Sequence, residues 1–164
     1  RGNTLILYAY VEKHGEVLHE MIRDKAGERK VFFVHGGVDG EEREAIRSIV
    51  EKETDAIIVA SYGTFSTGIN IKNLHNVIFA SPTKSRIRTL QSIGRGLRIS
   101  ETKDSMTLFD IADDLSHNKK NNYTLNHLIE RVKMYSAEGF PYELHNIKLR
   151  SDNGSGRSVL FKDE

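Results

Sequence analysis

Five short apolar runs, each broken off by turn or cap residues, decide what this chain can fold into. They lie at residues 4–9 (TLILYA), 31–34 (VFFV), 56–60 (AIIVA), 77–80 (VIFA) and 106–111 (MTLFDI). The runs are near-continuous and do not alternate with polar residues, so each reads as a strand covered on both faces. That is the pattern of a parallel sheet. Patterns of helical period fall between them. Over residues 11–24, Val11, Val17, Leu18, Met21 and Ile22 mostly share one face, with Gly27 as a stop. Over residues 39–52, Ala45, Ile46, Ile49 and Val50 form a stripe, and Asp39 and Glu42 have the spacing of a capping box. Ile87, Leu90 and Ile93 repeat the pattern over residues 83–97, and Leu125, Leu128, Ile129, Val132 and Tyr135 mark a last helix over about residues 126–138. The third and fourth runs are joined by a loop containing Gly63 and Gly68. Strands alternating with helices in this way predict an α/β fold, a parallel sheet of about five strands with flanking helices and a C-terminal helical extension.

A length of 164 residues suits one ordinary domain. With 38% hydrophobic and 29% charged residues there is material for a core, which excludes collagen-like, coiled-coil and fully disordered chains. No apolar run approaches the roughly 18 residues that span a bilayer, so no membrane partner is expected. The absence of cysteine removes disulfides, thiolate nucleophiles and Cys-based zinc sites together. The start at Arg1, with no signal-peptide pattern after it, points to a piece cut from a longer polypeptide. Residues 151–156 (SDNGSG) have the composition of a flexible tail.

In open parallel sheets, ligands sit beyond the carboxyl ends of the strands, so the loops there must carry the function. Gly63 to Gly68 has the glycine spacing of a phosphate-binding P-loop, but Ile69-Asn70 stand where that motif needs Lys and a hydroxyl residue. Gly94-x-Gly96 lies at the end of a helical pattern and lacks the third glycine of a dinucleotide fingerprint. More informative is the run KSRIRTLQSIGRGLR, residues 84–98. It has five positive charges (Lys84, Arg86, Arg88, Arg95 and Arg98) and no acid, within a chain of net charge +1. Arg86 and Arg88 fit a solvated helix face equally well. Arg95 and Arg98 sit beside glycines, where the backbone approaches a ligand closely and a guanidinium fork reaches phosphate oxygens. Residues 39–55 offset the patch with seven acids and three bases, a local sum of −4 that reads as a solvated face.

The run Gln91 to Arg98 has the form Q-x-x-G-R-x-x-R. With residues 57–70 (IIVASYGTFSTGIN) it resembles motifs VI and V of superfamily 2 helicases. Residues 4–10 (TLILYAY) are similar to motif IV, and residues 33–43 (FVHGGVDGEER) to the segment that carries a His-Gly pair in that family. The runs VASYGTFSTGI, KNLH and QSIGRGLR are similar to those of the phage UvsW-type DNA helicases. The resemblance implies two RecA-like lobes with ATP and Mg2+ bound between them. The P-loop and DExH box of the first lobe are absent from these residues, so the chain resembles the second, C-terminal lobe. It implies residues 1–115 as RecA-like lobe 2, 116–150 as a helical extension and 151–164 as the tail.

By position in the motifs, Arg98 matches the arginine finger and Arg95 its companion facing the γ-phosphate. Gln91 matches the residue that orients phosphate or water and couples it to nucleic acid. Gly68, Asn70 and Gly94 fall where the family lines the nucleotide, although Asn70 replaces the usual Asp and lacks its charge. Ser61, Thr64 and Gly36 fall where the family holds strand phosphates, contacts that position a strand without reading sequence. For Ser61 and Thr64, ordinary loop hydrogen bonding is an equal alternative. The partners implied are DNA, as a single-stranded track and as branched structures in recombination, repair or replication, and the N-terminal lobe of the same polypeptide. The setting implied is cytoplasmic, the host cytoplasm if viral, and the 164 residues alone are expected to be inactive.

No metal site is expected, since none of the seven histidines is spaced as H-x-x-x-H with an acid. His35 reads as a loop residue. Asp110, Asp113 and Asp114 read as a helix start or as ion pairs with nearby bases in preference to a magnesium site. Residues 117–122 (HNKKNN) either touch DNA or simply connect. Two other classes remain open: a nucleic-acid-binding module without a nucleotide role, and a doubly wound small-molecule-binding domain. The latter lacks paired aspartates at its first strand end, where Tyr10-Val11-Glu12 stand.

Overall fold

The structure, a computed structural model, describes residues 2–66, 71, 73–81, 106–114 and 122–147. Its elements run in the order β1 (Thr4–Tyr8), a π-helical turn (Val11–Gly15), α1 (Glu16–Lys25), β2 (Val31–Val34), α2 (Gly40–Lys52), β3 (Ile57–Ser61), α3 (Tyr62–Ser66), β4 (Asn76–Phe79), β5 (Thr107–Asp110) and α4 (Tyr123–Ala137). The strands form one sheet in the order β2-β3-β1-β4-β5, with every pair parallel. All five expected strands are present within a residue or two of the apolar runs. The sheet expected from those runs is therefore the sheet found.

The pleat sorts the central strand between two cores. Leu5 and Leu7 join Val34, Ile58, Val77 and Phe79 on one face, under Ile46 and Val50 of α2 and Val132, Met134 and Tyr135 of α4. Ile6 and Tyr8 join Ile57 and Val59 on the other, under Leu18 and Ile22 of α1. Every residue of β1 and β3 is buried, which is why both sequences are apolar apart from Thr4 and Ser61 at their ends. Fully burying one such Leu or Ile contributes about 1.5–3 kcal/mol.

The amino ends of the strands are held by one buried side chain. Asn3, 0% exposed, donates through Nδ2 to the carbonyls of Val50 (3.0 Å), Glu53 (2.7 Å) and Asn73 (2.9 Å). Its Oδ1 accepts from the Ala56 N–H at 2.8 Å. It thereby ties the entrances of β1, β3 and β4 to the end of α2. Arg29 adds a second tie, with Nη2 2.8 Å from Asp55 Oδ1 and Nε donating to the Asp55 carbonyl at 3.0 Å.

Three local features differ from the sequence expectation. The helix expected over residues 11–24 is split, because its first turn is π-helical, with Gly15 N–H donating to the Tyr10 carbonyl at 2.9 Å. The wider turn brings Gly15 onto the Tyr8 ring, so closely that a Cβ there would lie 2.4 Å from Tyr8 Cε2. The loop expected after β3 begins as the short helix α3, since the Ser61 hydroxyl accepts from the Thr64 N–H at 3.2 Å and caps it. Helix α4 starts at Tyr123, three residues before the expected start at 126, because Asn122 caps it by accepting from the Leu125 N–H at 3.3 Å. The expected Asp39 cap of α2 is present, accepting from the Glu42 N–H at 2.8 Å. The helix expected over residues 83–97 and the tail at 151–164 lie outside the described residues.

Candidate functional site

The parallel order brings the carboxyl ends of β2, β3, β1 and β4 to one edge, and the loops of interest leave from there. At the end of β3, the Ser61 and Thr64 hydroxyls lie 2.7 Å apart and both residues are buried. The structure thus brings these two expected site residues together. Their hydroxyls bond to each other across the cap of α3, while Gly63 between them is exposed.

The adjacent strand β2 ends in His35-Gly36-Gly37. His35 Nδ1 accepts from the Gly37 N–H at 3.1 Å. A Cβ on Gly37 would lie 2.9 Å from His35 Cε1, so a side chain there would push the imidazole aside. Gly36 is exposed at the tip, with no atom within 4 Å of where its Cβ would stand. His35 is therefore the loop residue expected of it.

Two residues at this edge escaped the sequence reading. Arg43 in the first turn of α2 donates from Nη2 to the Gly36 carbonyl at 3.1 Å, and its Nε is buried without a partner among the described residues. A cation in a helix's first turn is disfavoured by the macrodipole, and that local conflict was the available signal. Tyr62 is the second. Its hydroxyl donates to the Ser81 carbonyl at 3.3 Å, linking the end of β3 to the loop after β4, from which residues 82–98 continue.

Beneath the edge lies a row of rings. Phe33 stacks on His19, with centroids 4.9 Å apart, and meets His35 at 5.1 Å and Tyr8 at 5.8 Å. Burial holds the His19 imidazole below its ordinary pKa, and Arg23 adds to the effect. Burial, and next to it Glu16, pushes the Tyr8 phenol up to about 12.

At the end of β5, Asp110 is taken by a salt bridge. Arg131 donates to it through Nε (2.6 Å) and Nη2 (2.8 Å), and Tyr135 through its hydroxyl (2.6 Å). Asp114 Oδ1 accepts from Asn122 Nδ2 at 3.0 Å, and the Asp113 carbonyl accepts from Asn122 and Thr124. The ion-pair expectation for Asp110 is borne out. Among the described residues no group of three or more His, Asp or Glu is placed to hold a metal ion. Also among the described residues, no helix is long and apolar enough to cross a membrane. Gly68, Asn70, Gln91, Gly94, Arg95 and Arg98 lie outside the described residues, as do Lys84, Arg86, Arg88 and residues 117–121.

Residues 1–100 match the helicase conserved C-terminal domain. The chain belongs to that family. It is 37% identical over 157 residues to the ATP-dependent DNA helicase UvsW of Enterobacteria phage T4, covering 90% of this chain and 31% of that protein. The crystal structure of T4 UvsW superposes with a TM-score of 0.66 at 40% identity, over 85% of this chain and 30% of that one. The Sulfolobus solfataricus SWI2/SNF2 ATPase core domain superposes with a TM-score of 0.58 at 19% identity, over 84% of this chain and 26% of that one, a likeness of fold. The chain thus spans about a third of the length of its phage relative. It is a C-terminal helicase lobe with the RecA-like sheet expected of one.

Proposed function

We propose that this chain is the second motor lobe of an ATP-dependent DNA helicase or translocase that acts on branched DNA in recombination, repair or replication. One observation carries the reading. The sheet order gathers Gly36, the Ser61–Thr64 pair and the exit towards residues 82–98 on a single edge, and the Tyr62–Ser81 hydrogen bond joins the last two. On this reading Ser61, Thr64 and Gly36 form part of a DNA-backbone track, with Arg43 as a fixed cation beside Gly36. A track of this kind binds DNA without reading its sequence.

The run of residues 91–98 supplies the nucleotide side. The donor set fits a triphosphate: two guanidiniums, Arg95 and Arg98, one amide, Gln91, and Gly94 allowing close backbone approach. ATP with Mg2+, held mainly by the N-terminal lobe, supplies the phosphoryl group whose transfer drives the cycle. Arg98 acts as the arginine finger, Arg95 holds the γ-phosphate, Gln91 orients phosphate or water, and Gly68 and Asn70 line the nucleotide. Phosphoryl transfer is mostly positioning and charge stabilisation, so a finger supplied from the opposite lobe makes hydrolysis depend on closure of the cleft.

The test is ATP hydrolysis by the intact protein, with the P-loop lobe present. Arg98→Ala lowers DNA-stimulated hydrolysis by about 10³–10⁵-fold while thermal stability stays unchanged. Near-normal turnover in that variant removes the finger assignment. The 164 residues alone show no ATPase activity, and forked DNA stimulates the intact protein more than linear duplex of equal length.

A further inference from the structure

The outer side of α4 carries an apolar groove that the motor reading does not use. Leu125, Leu128, Ile129 and Val132 form one wall, and Tyr142 and Leu144 form the other, around about 490 Å³. The second wall exists because the chain reverses at Gly139 (φ 70°) and runs back along the helix. Phe140 packs into the main core, and the Tyr142 hydroxyl meets Ser136 Oγ at 3.3 Å. Beyond these anchors the apolar residues are left in solvent, with Leu144 69% and Ile147 58% exposed. Clustered exposed apolar side chains of this kind mark a contact surface.

We propose that the occupant is the chain's own segment Val159-Leu160-Phe161, which folds back onto α4 as a latch. This proposal is independent of the helicase reading. Between residues 150 and 164 these three are the only apolar side chains larger than glycine, and they are consecutive. Residues 148–158 (KLRSDNGSGRS) have largely linker composition, and eleven such residues span roughly 17–20 Å on average. Helix α4, at 15 residues, is about 22 Å long. The triplet is therefore tethered within one helix length of the groove, at an effective concentration on the order of millimolar.

The absence of native cysteine makes a clean experiment possible. Ile129→Cys combined with Leu160→Cys in the full chain is oxidised and read by mass and gel mobility. A control pair combines Ile129→Cys with Ser155→Cys. A seated latch gives an intramolecular disulfide, formed roughly tenfold faster than in the control pair. Equal rates in the two pairs overturn the proposal, and so does a concentration-dependent disulfide between chains, which assigns the groove to a second copy. Hydrogen exchange on the cysteine-free chain gives an independent reading. Amides 159–161 are protected, and Ile129→Asp, at an exposed position, removes that protection without changing exchange in β1 and β3. Unprotected amides in the unsubstituted chain also overturn it.

Discussion

The two edges of the sheet use polar groups in opposite ways. At the amino edge, Asn3 is fully buried and its amide spends every strong bond on the backbone, while Arg29 and Asp55 close on each other beside it. At the carboxyl edge, Gly36 and Gly63 are exposed, the Ser61 and Thr64 hydroxyls meet across a helix cap, and Arg43 Nε has no partner among the described residues. One edge consumes its hydrogen-bonding capacity internally and the other keeps some in reserve. Parallel strands make this division natural, because every strand enters at one edge and every ligand-facing loop leaves from the other.

The comparison breaks most visibly at β5. Asp110 stands at the carboxyl end of its strand, yet Arg131 and Tyr135 bury and saturate it as fully as anything at the amino edge. Asp110→Ala leaves the Arg131 guanidinium, 2% exposed, without a counterion among the described residues. The expected loss is about 3–5 kcal/mol in urea unfolding. A loss under about 1 kcal/mol would return β5 to the functional edge.

Asn3→Ala is the corresponding test at the amino edge. The Glu53 carbonyl still accepts from Asn73 Nδ2 and the Val50 carbonyl from the Glu53 N–H, so the Ala56 N–H and the Asn73 carbonyl are the groups that lose their partner. Two orphaned buried groups cost about 3 kcal/mol. Equilibrium unfolding gives the number, and nucleotide and DNA affinities of the intact protein should not move.

The fold was legible in the sequence because burial on both faces writes itself into runs such as TLILY and IIVAS. Helix α2 was legible through its Asp39 cap. The departures share a cause: each is a side chain acting on backbone at a distance that periodicity does not register. Gly15 is drawn onto Tyr8 and turns the first helical turn into a π-turn; Ser61 caps a short helix where a loop was expected, and Asn122 caps α4 ahead of its apolar stripe. For the candidate site, residue types and spacing nominated Ser61, Thr64 and Gly36. Arg43 and Tyr62 stayed hidden because their partners are carbonyls, and every residue has one.

Gly36→Ala separates the edges with a smaller effect. Open space surrounds the position and its backbone has no positive φ, so stability should stay within about 0.5 kcal/mol. A backbone N–H that approaches a DNA phosphate would be crowded by the methyl, weakening DNA binding by the intact protein roughly fivefold, about 1 kcal/mol. Unchanged affinity in a salt series removes Gly36 from the track.

Tyr8 supplies the smallest and most specific test, since it is spare polar capacity at the functional edge that water does not reach. Its ring is fully buried and its hydroxyl has no partner among the described residues. Burial, then Glu16, raises the phenol from 10.0 to about 12. The folded state therefore holds this proton more tightly than the unfolded state does. The resulting stability is complete below pH 10 and falls as pH rises from 10 towards 12. In Tyr8→Phe that share of the alkaline loss disappears. A residual slope remains, because burial and Asp110 also raise the Tyr135 phenol. At neutral pH the variant should match or slightly exceed the parent, since the deleted hydroxyl bonds to nothing among these residues. Urea midpoints at pH 8, 10 and 11 decide it. Parallel slopes for parent and variant would mean that water or a hydrogen-bond donor reaches the phenolate, and the reserve at the carboxyl edge would then be smaller than Arg43 and Gly36 suggest.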